Sequence, residues 1–210
     1  MSTYGDMQAR IADEIARADL TSQIQLAILS AIEYYKDDRF WFNEGEVSFY
    51  PTDDGLITGM LADHTPMSVT FGEIDEATIT VSGSRNPIYQ KSYEFIRNVV
   101  TQSTITGQPG HYAIFDENVW YDVVPDSLYP ITFSGLIYLA TLTISASTNA
   151  WTNEAERLIR YRAKADLFAG VTRNDKEAQK MALMEEQELG KLRQKTIQKL
   201  SSGRLKARQF

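Results

Sequence analysis

Apolar residues at Ile24, Ala27, Ile28, Ala31, Ile32 and Tyr35 recur at i, i+3, i+4 and i+7. That spacing draws one stripe along a helix of about four turns, and Thr21-Ser22 supply a cap signal ahead of it. An earlier helix is predicted from Thr3, whose spacing to Asp6 resembles a capping pair, with Met7, Ile11 and Ile15 in helical period through Arg17. The two follow so closely that a helical hairpin is expected. The second helix runs into Lys36-Asp37-Asp38 and then Arg39-Phe40-Trp41-Phe42-Asn43. Three adjacent aromatics cannot share one face of a helix, so this knot is either a core corner or a wedge between two structural regions. On the second reading Arg39, Phe40, Trp41 and Phe42 are junction-packing residues, with Trp151 as their counterpart at the chain's return.

From about Gly45 the period changes to alternation. Val47-Ser48-Phe49-Tyr50 alternates, and Pro51-Thr52-Asp53-Asp54-Gly55 marks a turn. A β-rich run over 74–82 ends at Gly83, Ser84-Arg85-Asn86-Pro87 reads as a turn, and a short strand follows at 88–90. Residues 92–100 read as one short helix with Tyr93, Ile96 and Val100 on a face. Beyond a loop at 106–110, strands are predicted at 112–115, 119–124 and 129–138, with a hairpin-like connection at Asp116-Glu117-Asn118. Short strands at regular spacing predict a small sandwich or rolled sheet.

Helical period returns near Trp151. Asn153 with Glu156 is a candidate capping box, and Ala155, Leu158, Ile159, Ala165 and Ala169 form a stripe that Gly170 ends. Asn174 with Glu177 caps a last helix reaching about Leu200. Its stripe is thin (Ala178, Ala182, Leu189, Leu192, Leu200) and Glu185 interrupts it, so this helix is expected to find its packing on other subunits. The predicted class is α+β. A helical bundle of the N-terminal hairpin and C-terminal helices (1–44 plus 149–202) carries an inserted β-rich domain (45–148) and an extended C-terminal arm ending in the tail 203–210.

Charge sharpens this division. The 210 residues carry a net charge of −7, yet residues 151–210 hold 14 Lys/Arg against 8 Asp/Glu. The remainder is strongly acidic. A basic arm on an acidic body fits contact with an acidic surface or a solvated basic helix face, and the acidic body argues against tight DNA binding by the main domain. Cysteine is absent, which excludes disulfide frameworks and thiolate chemistry and fits assembly in a reducing cytoplasm. The opening MSTYGDMQARIADE is polar and acidic, unlike a signal peptide. The most apolar stretch, 131–147, is threaded with Thr and Ser and falls short of a membrane span. A soluble chain is expected.

Candidate chemistry is sparse. The two histidines, His64 and His111, have no second ligand at metal-binding helical spacing, and no phosphate loop, nucleophile elbow or zinc motif occurs. Adjacent acids such as Asp37-Asp38, Asp53-Asp54 and Glu185-Glu186 are of the type a glycosidase uses, but in turns and on a long helix they read as solvated surface. No enzyme, cofactor or metal is expected. The tail is the one basic-aromatic segment. Arg204, Lys206 and Arg208 suit phosphates or an acidic protein groove, with Leu205 and Phe210 as apolar anchors.

An ordered set of short words spans nearly the whole chain. They are Met1-Ser2-Thr3-Tyr4 with Arg10-Ile11-Ala12-Asp13-Glu14, the DLTSQIQ, IEYY and RFWFN words between Asp19 and Glu44, and Gly107-Gln108-Pro109 followed by Tyr112-Ala113-Ile114. Thr148-Asn149-Ala150-Trp151, Arg162-Ala163-Lys164-Ala165-Asp166-Leu167 and a terminal Gly203-Arg204-Leu205 with Gln209-Phe210 complete it. This set resembles the tailed-phage head-to-tail adaptor proteins, the head-completion factors beneath the portal. The resemblance implies a ring, a dodecamer in that family, located in the virion at the head–tail interface after assembly in the host cytoplasm. Its implied partners are the portal and tail or nozzle proteins, with tail fibres as a further candidate and the β insertion at the periphery or facing the tail components; genomic DNA passes through the channel without specific binding and no membrane is involved. It further implies that the element 174–210 reaches among portal subunits, with Arg204, Leu205, Lys206, Arg208 and Phe210 as terminal contacts. Two rival readings stand beside it: a virion cell-wall hydrolase using Asp116 or Glu117, and a β-domain module that binds a carbohydrate or tail fibre through Trp120 and Tyr121.

Overall fold

The computed structural model describes residues 1–50, 56–58, 70–102, 106–115 and 118–202. The expected turn at 51–55, His64, Asp116, Glu117 and the tail contacts Arg204, Leu205, Lys206, Arg208 and Phe210 lie outside the described residues. In chain order come α1 (Tyr4–Glu14), α2 (Thr21–Tyr35), β1 (Glu44–Phe49), β2 (Leu56–Thr58), β3 (Thr70–Val81) and β4 (Ser84–Pro87). Then follow β5 (Tyr89–Gln90), α3 (Tyr93–Gln102), β6 (Thr106–Gly107), β7 (His111–Phe115), β8 (Asn118–Tyr121) and β9 (Val124–Pro125). The last are β10 (Ile131–Tyr138), α4 (Ala150–Asn153), α5 (Glu156–Gly170) and α6 (Asp175–Ser202). The chain is thus mixed helix and sheet, an α+β arrangement. It divides into two compact units, a helical one built from Met1–Asn43 and the chain from Tyr138 onward, and a sheet one, Glu44–Ile137.

In the helical unit the stripes of α1, α2 and α5 meet in one core. Met7, Ile11, Ile24, Ile28, Ala31, Leu158, Ile159 and Ala163 are fully buried in it, and Tyr35, Phe40, Trp151 and Leu192 join them. The Thr3 capping box forms as the spacing predicts: Thr3 Oγ1 accepts from Asp6 N at 3.0 Å and Asp6 Oδ2 from Thr3 N at 2.9 Å. Two other caps fall elsewhere. Thr21 is already the first helical residue of α2, so Leu20 occupies the cap position with no side-chain hydrogen bond. An N-cap must have non-helical backbone, and Thr21 sits one residue too far in. The box expected at Asn153 lies four residues earlier. Asn149 Oδ1 accepts from Trp151 N and Thr152 N, and Thr152 Oγ1 accepts from Asn149 N, while Asn153 Nδ2 donates to Asn149 O. A short α4 results, and α5 begins without a side-chain cap.

The expectation for the last helix requires correction. α6 packs chiefly along α5 of its own chain, burying Met181, Glu185, Leu192 and Thr196. These recur at helical spacing, so the seated face is real although half of it is polar. Ala182 and Leu200, placed on the stripe from hydropathy, are exposed instead. A polar group lies on a buried face without large cost when it is paired. Thr196 Oγ1 donates back to Leu192 O at 2.9 Å, and Glu185 is held as described below.

The sheet unit contains the four-stranded sheet β1-β10-β3-β4, a second four-stranded sheet β2-β8-β7-β5, and the two-stranded β6-β9. Phe49, Ile79, Ile131 and Phe133 from the first and Tyr112, Val119 and Tyr121 from the second share one core. Ser84–Pro87, expected as a turn, is strand β4. The reversal is the two-residue Ser82-Gly83, both at positive φ (49° and 82°), the backbone that a tight hairpin with Val81 opposite Ser84 requires. Gly135 is demanded by proximity as well as by its φ of 159°. A Cβ there would lie 2.1 Å from Glu73 O and 3.0 Å from Ile74 Cα.

Candidate interaction surfaces

The turn after α2 locks the aromatic knot. Asn43 is almost wholly buried; its Oδ1 accepts from Phe40 N at 2.7 Å and its Nδ2 donates to Asp38 O at 2.8 Å. Phe40 stacks on Phe42 (5.2 Å) and meets the edge of Trp151 (5.9 Å), and Phe42 meets Trp151 at 5.2 Å. Trp41 meets the edge of Phe42 at 5.1 Å and lies beneath two cations of α6, Lys195 Nζ at 4.3 Å and Lys199 Nζ at 4.7 Å from its ring centre. Lys195 also pairs with Glu154 at 2.9 Å. Arg39 beside them is partly exposed. The predicted residues Phe40, Trp41, Phe42 and Trp151 are therefore brought together as one aromatic cluster inside the helical unit. Past it, α6 exposes Ile197 and Leu200.

Glu185 sits where α2, α5 and α6 meet. It accepts from the Tyr35 hydroxyl and from Arg162 Nη1 at 3.3 Å. Arg162 also faces Asp166 at 3.7 Å and stacks over Tyr34 at 4.0 Å. Burial, then the bond to Glu185, pushes the Tyr35 phenol well above its ordinary range. Burial likewise raises Asp166. Alongside runs a cleft of about 390 Å³ lined by Tyr34, Tyr35, Asp38, Glu185, Glu186 and Arg193, with Arg193 closing on Asp38 at 3.4 Å. The predicted acid pair Glu185-Glu186 is split between buried and exposed sides of α6, which suits structure rather than acid–base work.

Between α1 and α5 two carboxylates serve three cations. Glu14 binds Lys164 Nζ at 2.7 Å and also Arg160; Glu156 binds Arg10 at 2.7 Å and Arg160 at 3.3 Å. Burial, then the positive charges of Arg160 and Lys180, pushes Lys164 down to about 8.

The sheet unit holds a pair the motif survey missed. His111 Nδ1 lies 2.7 Å from Asp122 Oδ2, whose Oδ1 accepts from Gly110 N at 3.1 Å. A carboxylate only accepts, so Nδ1 carries a proton, and in the neutral imidazole Nε2 is then the acceptor. The rings of Tyr89 and Phe95 lie 6.4 and 5.9 Å from the imidazole. The signal existed in the strand register: with Tyr112 opposite Tyr121, one further residue brings His111 across from Asp122. Nearby, Tyr93 stacks on Phe115 at 4.1 Å and meets Trp120 at 5.1 Å. Tyr121 is core, only 1% exposed, and burial raises its phenol well above the ordinary value. Its expected role beside Trp120 in a binding surface is thereby corrected, because inward and outward positions alternate along a strand and Tyr121 takes the inward one.

Among the described residues no group of three or more His, Asp or Glu side chains is placed to hold a metal ion, and no described helix is long and apolar enough to cross a membrane. No protein-family model matches this chain, and no curated protein sequence matches it significantly.

Proposed function

We propose that this chain is a structural head-to-tail adaptor of a tailed phage. It forms a ring, dodecameric by the family resemblance, that binds the portal, extends the DNA channel and offers a platform to tail or nozzle proteins and to tail fibres. Its finer architecture on this reading is a helical bundle with an inserted β domain and an extended C-terminal arm. The role is non-catalytic, needs no cofactor, and is carried out in the virion after assembly in the host cytoplasm.

One observation carries the reading. The basic C-terminal end is mounted on a 28-residue helix that its own unit grips through Met181, Glu185, Leu192 and Thr196. The gripping element narrows accordingly, from the whole of 174–210 to the stretch after Thr196. That stretch comprises exposed Ile197 and Leu200 and then Arg204, Leu205, Lys206, Arg208 and Phe210. Cations with apolar anchors suit an acidic groove on a partner. Many such ends on one ring engage together, so individually weak contacts give lasting attachment. The acidic balance of residues 1–150 suits a channel past which DNA slides without sticking.

Deletion of residues 203–210 tests this. The truncated chain should stay folded by circular dichroism yet fail to co-sediment with portal-bearing capsids. Undiminished co-sedimentation would refute the assignment of the arm. A peptidoglycan zymogram of the intact chain addresses the hydrolase alternative, and on the proposed reading it stays blank.

A further inference from the structure

On the sheet unit, Tyr89 is 60% exposed and Phe95 43% exposed, and the two flank His111. Isolated exposed apolar residues need no explanation, but both of these rings lie close to an imidazole whose orientation is fixed by Asp122. Asp122 is largely buried, its side chain 15% exposed, and it spends both oxygens on the His111 ring and the Gly110 amide. That arrangement orients the ring and turns the Nδ1 proton toward Asp122, so in the neutral imidazole Nε2 is an acceptor near two apolar platforms. Lys91 adds a donor at the rim, its Nζ 5.8 Å from the Phe95 ring centre.

We infer that Tyr89, Phe95, His111 and Asp122 form a binding site for a pyranose saccharide. A sugar ring has a C–H face that lies on an aromatic ring and hydroxyls that need directed partners. Aromatic platforms with a few oriented polar groups are the chemistry that meets both needs. His111 Nε2 accepts one sugar hydroxyl, Tyr89 and Phe95 carry the apolar face, and Asp122 acts as a positioning residue through the imidazole. A peptide suits the place less well. Strand addition needs a long free edge, whereas β5 at this sheet's margin spans only Tyr89–Gln90. The site stands independently of the adaptor reading, because none of its residues belongs to the arm.

The test uses the full chain and saturation-transfer NMR with methyl glucoside, methyl galactoside, methyl mannoside and N-acetylglucosamine as probes. At least one should bind saturably, with the transfer centred on ring C–H protons. Tyr89→Ala and His111→Ala should each weaken that binding roughly ten-fold, while Asp122→Asn, which disturbs the tautomer but keeps the ring, should give an intermediate loss. Tyr34→Ala, an exposed aromatic on the helical unit, is the control for non-specific stacking and should change nothing. The inference is overturned if no probe binds saturably, if binding survives both Tyr89→Ala and His111→Ala in chains with unchanged circular dichroism, or if Tyr34→Ala weakens it equally. It is likewise overturned if a tail protein occupies this face and saturating sugar does not compete.

Discussion

Replacing Lys164 by Met should stabilise the helical unit at neutral pH. Lys164 is 6% exposed and belongs to a cluster in which Glu14 and Glu156 face Arg10, Arg160 and Lys164. The pair with Glu14 at 2.7 Å favours the charged amine, but Glu14 is shared with Arg160, so positive charge is in surplus. Burial and that surplus move the amine from 10.5 to about 8. At ~1.4 kcal/mol per unit, the charged form costs on the order of 3 kcal/mol in the folded state, a ceiling that side-chain relaxation reduces. The folded value lies below the unfolded one, so the unfolded chain binds the proton more tightly across this window. Stability therefore rises as pH climbs from about 8 to about 10.5, and the full penalty applies at pH 7. Methionine keeps the apolar stem and leaves Glu14 its bond to Arg160. Lys164→Met should thus gain about 1–3 kcal/mol at pH 7, as removal of a costly buried charge can, and the gain should shrink towards zero near pH 10.5. Urea unfolding followed by far-ultraviolet circular dichroism at both pH values measures the difference, and comparing variant with parent cancels the other titrating groups. A loss of stability at pH 7 would show that the Glu14 pair outweighs burial, and a gain independent of pH would show that the amine's charge is not its source; either would refute the reasoning.

Three substitutions elsewhere separate steric, torsional and polar effects. Gly135→Ala places a methyl 2.1 Å from Glu73 O between paired backbones, and should exceed the usual overpacking cost of about 1–3 kcal/mol; Gly83→Ala, with open space around it, should cost only about 1 kcal/mol from its positive φ. Thermal melts that rank the two equally would contradict this. Tyr35→Phe removes one donor from Glu185 while Arg162 remains, and should cost about 1–3 kcal/mol; an unchanged midpoint in urea would mean that water replaces the hydroxyl.

What could be read from the chain beforehand follows from how local each signal is. The stripes of α1 and α2 and the start of that of α5 were legible because apolar period builds them, and the Thr3 box because both partners lie within four residues; further along α5 the buried face is Ala163, Lys164 and Leu167 rather than the expected Ala165 and Ala169. Glu185 was not. Hydropathy counts it as an interruption, and only its partners Tyr35, 150 residues away, and Arg162, 23 residues away, turn it into part of the buried face. The His111–Asp122 pair lay between these cases: invisible to motif spacing, yet implied once β7 and β8 are put in register. The misjudged Glu185 bears directly on the proposed docking. Ordering a chain segment costs about 1–2 kcal/mol per residue in backbone entropy alone. A helix that awaited its partner would draw that cost from the docking energy for every turn it formed. Because Tyr35 and Arg162 already hold α6 at Glu185, and Leu192 and Thr196 seat it further on, its seated part up to Thr196 contributes no such term. A partner then needs only contacts strong enough for the end beyond Thr196, which is the short basic-apolar segment that the sequence makes chemically distinct.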